Sequence, residues 1–303
     1  MSSEPLVYRT FDQRELDREY SPSSRVEDLP ALLRDYAEAS AAVREALEVR
    51  TDLAYGPGAA ERLDFFPSTE PGAPLQVFVH GGYWQELGKD SAAFAAEGFV
   101  AAGAAFAAVG YGLAPEHHLD TIVDQVRRAL WWLVGHAEEL GVDPRRVHVS
   151  GHCAGAQLVA MALLRPAPPG KPEPADVFAG ATLLSGVYDL LPVRRSYVND
   201  ALGLDDDAAV RNSPIRLLGN RLPPLVVARG GVETSEFARQ HDDFARAAVG
   251  RSPRVKQLVI DHRNHFDLPF DLADPATALG RVVLGEMRLV RPASEPENSP
   301  TFA

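Results

Sequence analysis

The sequence predicts an α/β fold in which helices cover both faces of a mostly parallel central sheet, with a small cap or none. Short apolar runs rich in β-branched residues alternate with amphipathic segments of helical length, and this alternation is typical of strand–helix–strand units. The chain has 303 residues, of which 46% are hydrophobic, so it can build one large core. We therefore expect a single domain over residues 1–290. The polar tail over residues 291–303 is expected to be disordered.

The first half of the chain contains one early helix, three strands and a long second helix. Residues 1–24 are polar and irregular in pattern. In residues 27–50 apolar side chains recur at intervals of three and four, which indicates a helix. The elements expected next are strands at 62–66, 75–82 and 104–111 and an amphipathic helix at 120–141 that ends at a glycine.

The second half continues the alternation. A short strand at 146–151 is followed at once by a helix at 154–164. A Pro-rich loop at 165–175 precedes a strand that begins at residue 180. Residues 190–221 are expected to form short helices and loops, as a small cap would. The remaining elements are strands at 223–231 and 254–260, a helix between them at 236–250, and a last helix at 275–289.

Composition and charge exclude several classes of protein. The formal net charge is −12, whereas general binding to nucleic acid or to an anionic membrane requires a basic face. The most apolar stretch, residues 92–114, is interrupted by Glu97 and by four glycines, so we do not expect it to span a membrane. A single cysteine cannot form an internal disulfide or a cysteine-cluster metal site. The N-terminus has no signal-peptide pattern, and we expect a cytoplasmic protein.

The only cysteine lies where a predicted strand turns into a predicted helix. The segment Gly151-His152-Cys153-Ala154-Gly155 fits the nucleophile elbow, in which a reactive side chain stands between two glycines. The glycines let strand and helix approach closely, and the helix N-terminus favours a thiolate and a developing oxyanion. The alternative is an ordinary turn with a buried, inert cysteine. We favour the nucleophile because a β-branched strand precedes the turn.

A second glycine-rich turn can supply the oxyanion hole that such a nucleophile needs. The sequence HGGYW at the end of another predicted strand contains Gly81 and Gly82, whose N–H groups can reach a substrate carbonyl. The N–H of Ala154 would be the partner donor. Tyr83 and Trp84 follow the glycines, so we expect them at the pocket mouth as substrate-binding residues. The alternative for both is a place in the core.

A nucleophile also needs a base, and histidine is the usual one. Of the nine histidines, His262 and His265 follow the last predicted strand, where this chemistry requires the base. His265 is our candidate, and His262 is more typical of an exposed loop residue. His152, inside the elbow, could pack, gate or react, and we include it among the substrate-binding candidates. His117 and His118 fall in a polar loop that is expected to be solvated.

The base must be oriented by an acid, which is expected after the penultimate strand. Glu233 is the first carboxylate there, and Glu236 follows three residues later. Glu236 is better placed to begin a helix, where an acidic side chain is stabilising on its own account. We therefore assign the acid to Glu233.

With these residues in place, the chain resembles α/β-hydrolases of the arylformamidase (kynurenine formamidase) type, near the hormone-sensitive-lipase-like esterases. The matching segments are HGGYW, YGLAPEHHLDTIVDQVRRALWWLVGHAEELGVDPRRVHVSGHCAGAQLVAM, LLSGVYDLLPV, SYVNDALGLD, ETSEFARQ and NHFD, which follow one another in the right order between residues 80 and 267. The resemblance implies the α/β-hydrolase fold, the same catalytic and oxyanion residues, and no metal or organic cofactor. It also implies N-formyl-L-kynurenine or another aryl formamide as the substrate.

The chain departs from the family pattern at the nucleophile, because the family has GHSAG where this sequence has Cys153. Either the cysteine is natural and forms a thioester, or it is an introduced Ser→Cys change. A thioester would favour acyl transfer to an amine or a thiol over plain hydrolysis. The sequence leaves both explanations open.

The sequence thus predicts an enzyme that hydrolyses a small-molecule formamide, amide or ester through an acyl-enzyme. The first alternative is a carboxylesterase or a cysteine-dependent acyltransferase of secondary metabolism. The second is a non-catalytic scaffold that binds a small molecule, although a binder has little use for a complete triad. We expect no nucleic-acid or membrane partner, and a homodimer is the default for such enzymes.

Overall fold

An eight-stranded sheet forms the centre of the protein in the computed structural model, which describes residues 5–289. Its order is β1-β2-β4-β3-β5-β6-β7-β8. The second strand pairs antiparallel with both its neighbours, and every other pair is parallel. The expected mostly parallel sheet is confirmed. The strands are β1 (Arg50–Ala54), β2 (Arg62–Phe66), β3 (Ala73–Val79), β4 (Ala105–Val109), β5 (Val142–His152), β6 (Gly180–Leu184), β7 (Leu225–Val232) and β8 (Val255–Asn264).

Helices connect the strands and cover both faces of the sheet. Within residues 5–289 the α-helices are α1 (Gln13–Glu19), α2 (Leu29–Ala46), α3 (Ala96–Ala101), α4 (Leu119–Gly135), α5 (Ala154–Leu164), α6 (Pro174–Val177), α7 (Asn199–Leu202), α8 (Asp206–Arg211), α9 (Ser235–Ala248) and α10 (Ala278–Glu286).

Two apolar layers hold these helices to the sheet. Along β3, Leu75, Val77 and Val79 join one layer, while Phe78 joins the other, because successive side chains of a strand point to opposite faces. The first layer also contains buried side chains of α4, α5 and α9. The second contains those of α2, α3 and α10. The central strands are therefore buried on both faces, which explains their almost continuous apolar sequences.

The N-terminal region is more regular than its sequence suggests. Residues 1–24 are irregular in pattern, yet α1 forms within them. The Asp12 side chain accepts the N–H of Glu15, and the Glu15 side chain accepts the N–H of Asp12, which is a capping box. Leu16 is fully buried in the core. The expectation of an irregular start is wrong because one apolar anchor and a good cap suffice for a short helix that packs.

Several boundaries also differ from the sequence prediction. The helix predicted at 27–50 begins at Leu29, after the capping side chain of Asp28, and ends at Ala46. The residues that follow form β1, an edge strand whose mostly exposed side chains carry no apolar alternation. The long helix predicted to reach residue 141 ends at Gly135. These differences lie at element ends, where packing rather than pattern decides.

Residues 190–221 form short elements beside the carboxyl ends of the strands. They comprise α7, α8 and the single 3-10 turns Val193–Arg195 and Pro214–Arg216, in agreement with a small cap. The tail predicted at 291–303 lies outside the described residues. Over residues 5–289, none of the helices has both the length and the apolar character needed to cross a membrane.

Candidate active site

Cys153 occupies a strained turn between β5 and α5. Its backbone has φ 54° and ψ −117°, a conformation that is costly for a residue with a side chain. A Cβ on Gly151 would lie well under 3.0 Å from the carbonyl oxygen of Gly155, and a Cβ on Gly155 equally close to that of Val79. Only glycine fits at either position, so the tight strand-to-helix turn explains the glycine pair around Cys153.

The structure brings His265 and Glu233 to the same end of the sheet. His265 follows β8 and Glu233 follows β7, and the distance from Nδ1 of His265 to Oε2 of Glu233 is 3.3 Å. The other oxygen, Oε1, accepts hydrogen bonds from the Ser185 hydroxyl at 2.6 Å and from the Gly230 N–H at 2.7 Å. Burial alone would raise the pKa of Glu233, but these contacts and that with His265 lower it. The carboxylate is therefore held ionised and oriented.

Charge also couples His265 to Cys153. Burial alone would lower the pKa of His265, but the negative charges and hydrogen bonding of Cys153 and Glu233 raise it to about 10. The cationic imidazolium form of His265 is thus favoured at neutral pH, as in other cysteine–histidine pairs. Both side chains are buried, with Cys153 3% and His265 1% exposed. Water screens this interaction poorly, so the pair is strongly coupled.

The glycine loop after β3 lies directly against the elbow. A Cβ on Gly81 would be 3.0 Å from Cβ of Cys153, and Gly82 adopts a φ of 95°, which favours glycine. Tyr111 donates its hydroxyl to the His80 carbonyl at 2.8 Å and to the Gly81 carbonyl at 3.2 Å. Within the described chain, the N–H groups of Gly81, Gly82 and Ala154 donate to no protein acceptor. Three donors therefore remain available close to Cys153.

The two aromatic residues of this loop have different places. Tyr83 lines the pocket, and its hydroxyl donates to the Tyr20 carbonyl at 2.7 Å. Trp84 is fully buried in the core, and its indole N–H donates to Oε1 of Gln157 at 3.0 Å. The expectation that Trp84 forms a pocket wall is therefore wrong. Its φ of 61° turns the ring away from the mouth and under α5, where its N–H still finds a partner.

His152 supports the loop that carries His265. Its Nε2 lies 2.8 Å from the carbonyl oxygen of His265, and since a carbonyl only accepts, Nε2 carries the hydrogen. Burial first, and then the charge of His265, hold the pKa of His152 well below its usual value. The ring is therefore neutral, with Nδ1 unprotonated, and it borders the pocket beside Cys153.

These groups open into a mostly apolar pocket of about 220 Å³. Gly81 lies on a small adjoining cavity that shares Tyr36, Leu87 and His152 with the main one. Five parts of the chain line the main pocket. The N-terminal region contributes Pro22, Ser23, Leu29, Leu33 and Tyr36, and the glycine loop contributes Gly82, Tyr83, Gln85, Glu86 and Leu87. The elbow contributes His152 and Cys153, the cap Tyr197 and Val198, and the loop after β8 His265 and Phe266.

The competing residues lie elsewhere. His262 is exposed, and Glu236 is held by Arg239 at 2.7 Å and by the Tyr20 hydroxyl at 2.8 Å. His117 and His118 do not line the pocket. Across residues 5–289 there is no group of three or more His, Cys, Asp and Glu side chains arranged to hold a metal ion.

Sequence reasoning missed two contributions to the site. Ser185 follows β6 with a φ of 47°, and its hydroxyl donates to the Glu233 carboxylate. A positive φ is usually indicated by a glycine in the sequence, so a serine gives no sign of it. The N-terminal region supplies five wall residues, and Tyr36 donates its hydroxyl to the Phe266 carbonyl next to His265. The capping pattern at Asp12 could have revealed α1, but no local signal shows that this region covers the pocket.

Comparison with known families agrees with the geometry. A sequence model of the family described as alpha/beta hydrolase fold matches residues 76–251. Kynurenine formamidase of Danio rerio is 31% identical, with 91% of this chain and 97% of that protein covered. Kynurenine formamidase of Drosophila melanogaster is 34% identical over 84% of this chain and 91% of its own length.

Solved structures show the same architecture. A Silicibacter protein, provisionally described as a thioesterase, superimposes with a TM-score of 0.79 and 29% identity, covering 89% of this chain and 98% of that one. The thermostable carboxylesterase EstE1 has a TM-score of 0.69 at 20% identity, covering 90% of this chain and 98% of its own. At that identity the similarity concerns the fold alone.

Proposed function

Because this chain belongs to the alpha/beta hydrolase family, as an enzyme of the arylformamidase and hormone-sensitive-lipase-like type, we propose that it hydrolyses aryl formamides through a thioester on Cys153. Glu233 and His265 complete the triad in this proposal. Gly81, Gly82 and Ala154 form the oxyanion hole, and Tyr83 and His152 border the substrate. The single observation that carries the proposal is the convergence of Cys153, His265 and Glu233 beside three available N–H groups.

The first half-reaction forms the thioester. The Cys153 thiolate attacks the formyl carbon, and the carbonyl oxygen becomes an oxyanion that accepts from the N–H groups of Gly81, Gly82 and Ala154. The His265 imidazolium gives its proton to the leaving nitrogen, and the C–N bond breaks to release the aryl amine. Glu233 stabilises the positive charge on His265 until that transfer.

The second half-reaction hydrolyses the thioester. Neutral His265 takes a proton from water as the water oxygen attacks the formyl carbon. The C–S bond then breaks, formic acid leaves, and the thiolate–imidazolium pair is restored. One formamide and one water thus give one amine and one formic acid.

Esters form the second candidate substrate class. Esterase LipQ of Mycobacterium tuberculosis is 29% identical over 77% of this chain and 59% of its own length. The leaving group of an ester is an alkoxide or phenoxide. It needs less proton donation from His265 than the leaving nitrogen of an anilide does. The same acyl-enzyme would therefore serve both classes, with the acid step limiting only the formamide.

The test combines an acyl trap with a turnover assay. With p-nitrophenyl acetate we expect a burst of p-nitrophenol and an acetyl mass increase on Cys153. With formanilide we expect aniline and formate in equal amounts. His265→Gln should abolish formanilide turnover, whereas the exposed His262→Gln three residues earlier should behave like the parent chain.

Two outcomes would contradict the proposal. Without an adduct on Cys153 and without turnover of formamides or esters, the catalytic assignment fails. An ester burst with no formanilide turnover would support the esterase alternative.

A Cys153→Ser variant with much faster formanilide turnover would show that the site was built for an oxygen nucleophile.

A further inference from the structure

A large cavity lies at the end of the sheet opposite to Cys153. It encloses about 750 Å³. Its walls come from the first residues of β5 and β8, from Ala179 and Pro224 just before β6 and β7, and from the end of α10 with the residues after it. The parallel strands begin there, whereas the elbow and His265 follow their carboxyl ends. We call this space the basal cavity, and the steps of the proposed hydrolysis do not involve it.

Cations dominate the lining of the basal cavity. Five of the lining side chains are cationic, namely Arg145, Arg146, Arg254, Lys256 and Arg288. Within the described part of the chain, Glu286 is the single carboxylate among the lining residues. The whole chain has a formal net charge of −12, so this local excess is opposite in sign to the molecule. Like charges around one cavity repel each other and their fields add inside it, which favours a bound anion.

Glu286 offsets two of these cations. Its carboxylate accepts from the Lys256 ammonium at 2.8 Å and also pairs with the Arg254 guanidinium. Burial alone would raise the pKa of Glu286, but these two contacts lower it, so the carboxylate stays ionised. The side chains of Arg254 and Lys256 are each about half-exposed. Because both cations have further N–H donors, Glu286 orients them and leaves donors for a ligand.

The other three cations are less engaged. Arg145 pairs with Asp143 at 3.1 Å and is exposed, and Arg288 is exposed as well. Nη2 of Arg146 lies 3.5 Å from the Met287 carbonyl oxygen, which is long for a hydrogen bond. Within residues 5–289 neither Arg146 nor Arg288 has a carboxylate partner, so both are available to an anion.

A buried imidazole in the same wall lacks a hydrogen-bond partner. His148 is 8% exposed and lines the basal cavity, yet neither of its ring nitrogens makes a hydrogen bond within residues 5–289. Burial lowers the pKa of His148 to about 4, with the charge of Glu286 opposing this shift and that of Arg146 adding to it. The ring is therefore neutral and has one N–H donor. Buried donors are normally paired, and a ligand oxygen in the cavity would supply the missing acceptor.

We propose that the basal cavity binds a diphosphate group through Arg146, Arg254 and Lys256, and that His148 donates to one of its oxygens. A guanidinium matches the oxygens of a phosphate with two parallel N–H donors. A diphosphate concentrates several negative charges on one compact group, which suits a cavity with several cations. The volume is in the range of sites for small organic ligands, so the group can be free diphosphate or part of a nucleoside diphosphate. This site does not depend on the formamidase proposal.

The test is calorimetric titration of the full chain with sodium diphosphate, orthophosphate, citrate, ADP and adenosine. We expect diphosphate to bind about 10-fold more tightly than orthophosphate or citrate, because it engages more of the cations. Added salt should weaken its binding. Equal affinity for ADP and diphosphate, with no binding of adenosine, would show that the diphosphate group suffices, whereas tighter binding of ADP would identify a nucleotide site. The measured affinity includes any competition from Glu295 and Glu297 of the tail, which lie outside the described residues.

Variants and ring signals locate the site. The double variant Arg146→Gln, Lys256→Gln should bind diphosphate about 5- to 20-fold more weakly, as two partly exposed charge pairs allow. Arg281→Gln removes a positive charge from an exposed position of α10 that does not line the cavity, and its affinity should match that of the parent chain. In NMR spectra of the parent chain, diphosphate should shift the ring signals of His148 and leave those of the exposed His118 unchanged.

Three results would overturn the inference. The first is that diphosphate binds no more tightly than orthophosphate or citrate. The second is that the double variant binds diphosphate as the parent does, or that Arg281→Gln loses as much affinity as the double variant. The third is that saturating diphosphate leaves the His148 signals of the parent chain unchanged, and this measurement decides even where the double variant does not fold.

Discussion

The sulfur of Cys153 determines what His265 contributes to the first chemical step. A serine hydroxyl must lose its proton to the histidine during attack, so the histidine has to be neutral beforehand. Here the pKa of His265 is raised to about 10 by Cys153 and Glu233, against the effect of burial. The proton therefore already resides on His265 at neutral pH, and the histidine acts first as an acid.

This difference predicts opposite pH dependence for the parent chain and Cys153→Ser. In the parent, formanilide turnover should fall as pH rises through about 10, because His265 then loses the proton that the aniline needs. In Cys153→Ser the charge of Cys153 is absent, so the pKa of His265 should fall. Turnover should then rise with pH through that lower pKa, because the serine requires a neutral base.

The measurement is kcat/KM for formanilide between pH 5 and 11, supported by NMR titration of the His265 ring in both proteins. Parallel pH profiles would contradict the assignment of an ion pair. An unchanged His265 pKa in Cys153→Ser would show that Glu233 alone controls the histidine.

At the scale of elements, the chemistry depends on how closely β5, Cys153 and α5 approach β3. Gly155 packs against the carbonyl oxygen of Val79 with no room for a Cβ. Gly155→Ala should therefore push α5 away from the sheet, lower the free energy of unfolding by about 1–3 kcal/mol and reduce acylation of Cys153. Denaturant unfolding and the p-nitrophenol burst measure the two effects.

A matched glycine provides the control for this variant. Gly135, the last residue of α4, has open space around its Cα and is exposed. Gly135→Ala should leave the burst intact and raise stability by up to about 1 kcal/mol, since alanine favours the helix. If Gly155→Ala folds with parent stability and a full burst, the close approach at the elbow does not matter.

The elements that carry local signals could be predicted from the sequence, and those held by distant contacts could not. The glycines around Cys153, the apolar run of β3 and the alternation of strands and helices all reflect geometry within a few residues. Trp84 could not be placed, because its direction depends on a positive φ and on Gln157, which is far along the chain. Ser185 and the N-terminal wall of the pocket depend in the same way on long-range packing.

For the whole molecule, the N-terminal arm (residues 5–28) joins the sheet end to the pocket. The carbonyl of Glu19 accepts the Thr234 hydroxyl at 2.6 Å, next to Glu233. Asp17 accepts the Tyr197 N–H at 2.8 Å. The arm thus contacts residues adjacent to the acid and within the cap, and the pocket is complete only while the arm is docked.

Leu16 is the apolar anchor of this arm, so Leu16→Ala should loosen it. Truncating a buried leucine costs about 2–5 kcal/mol. Tyr20 is the other side chain of the arm that belongs to the buried core, so this loss should appear locally, as opening of the arm. We expect the KM for formanilide to rise by about 3- to 10-fold with a smaller change in kcat, since the wall residues Pro22 and Ser23 are displaced but the triad remains. Hydrogen exchange should accelerate in α1.

Leu284→Ala in α10 removes a similarly buried leucine from the opposite face of the sheet, and it should lower stability without raising KM. A parent KM in Leu16→Ala, together with rapid exchange in α1, would show that the arm does not help to bind substrate.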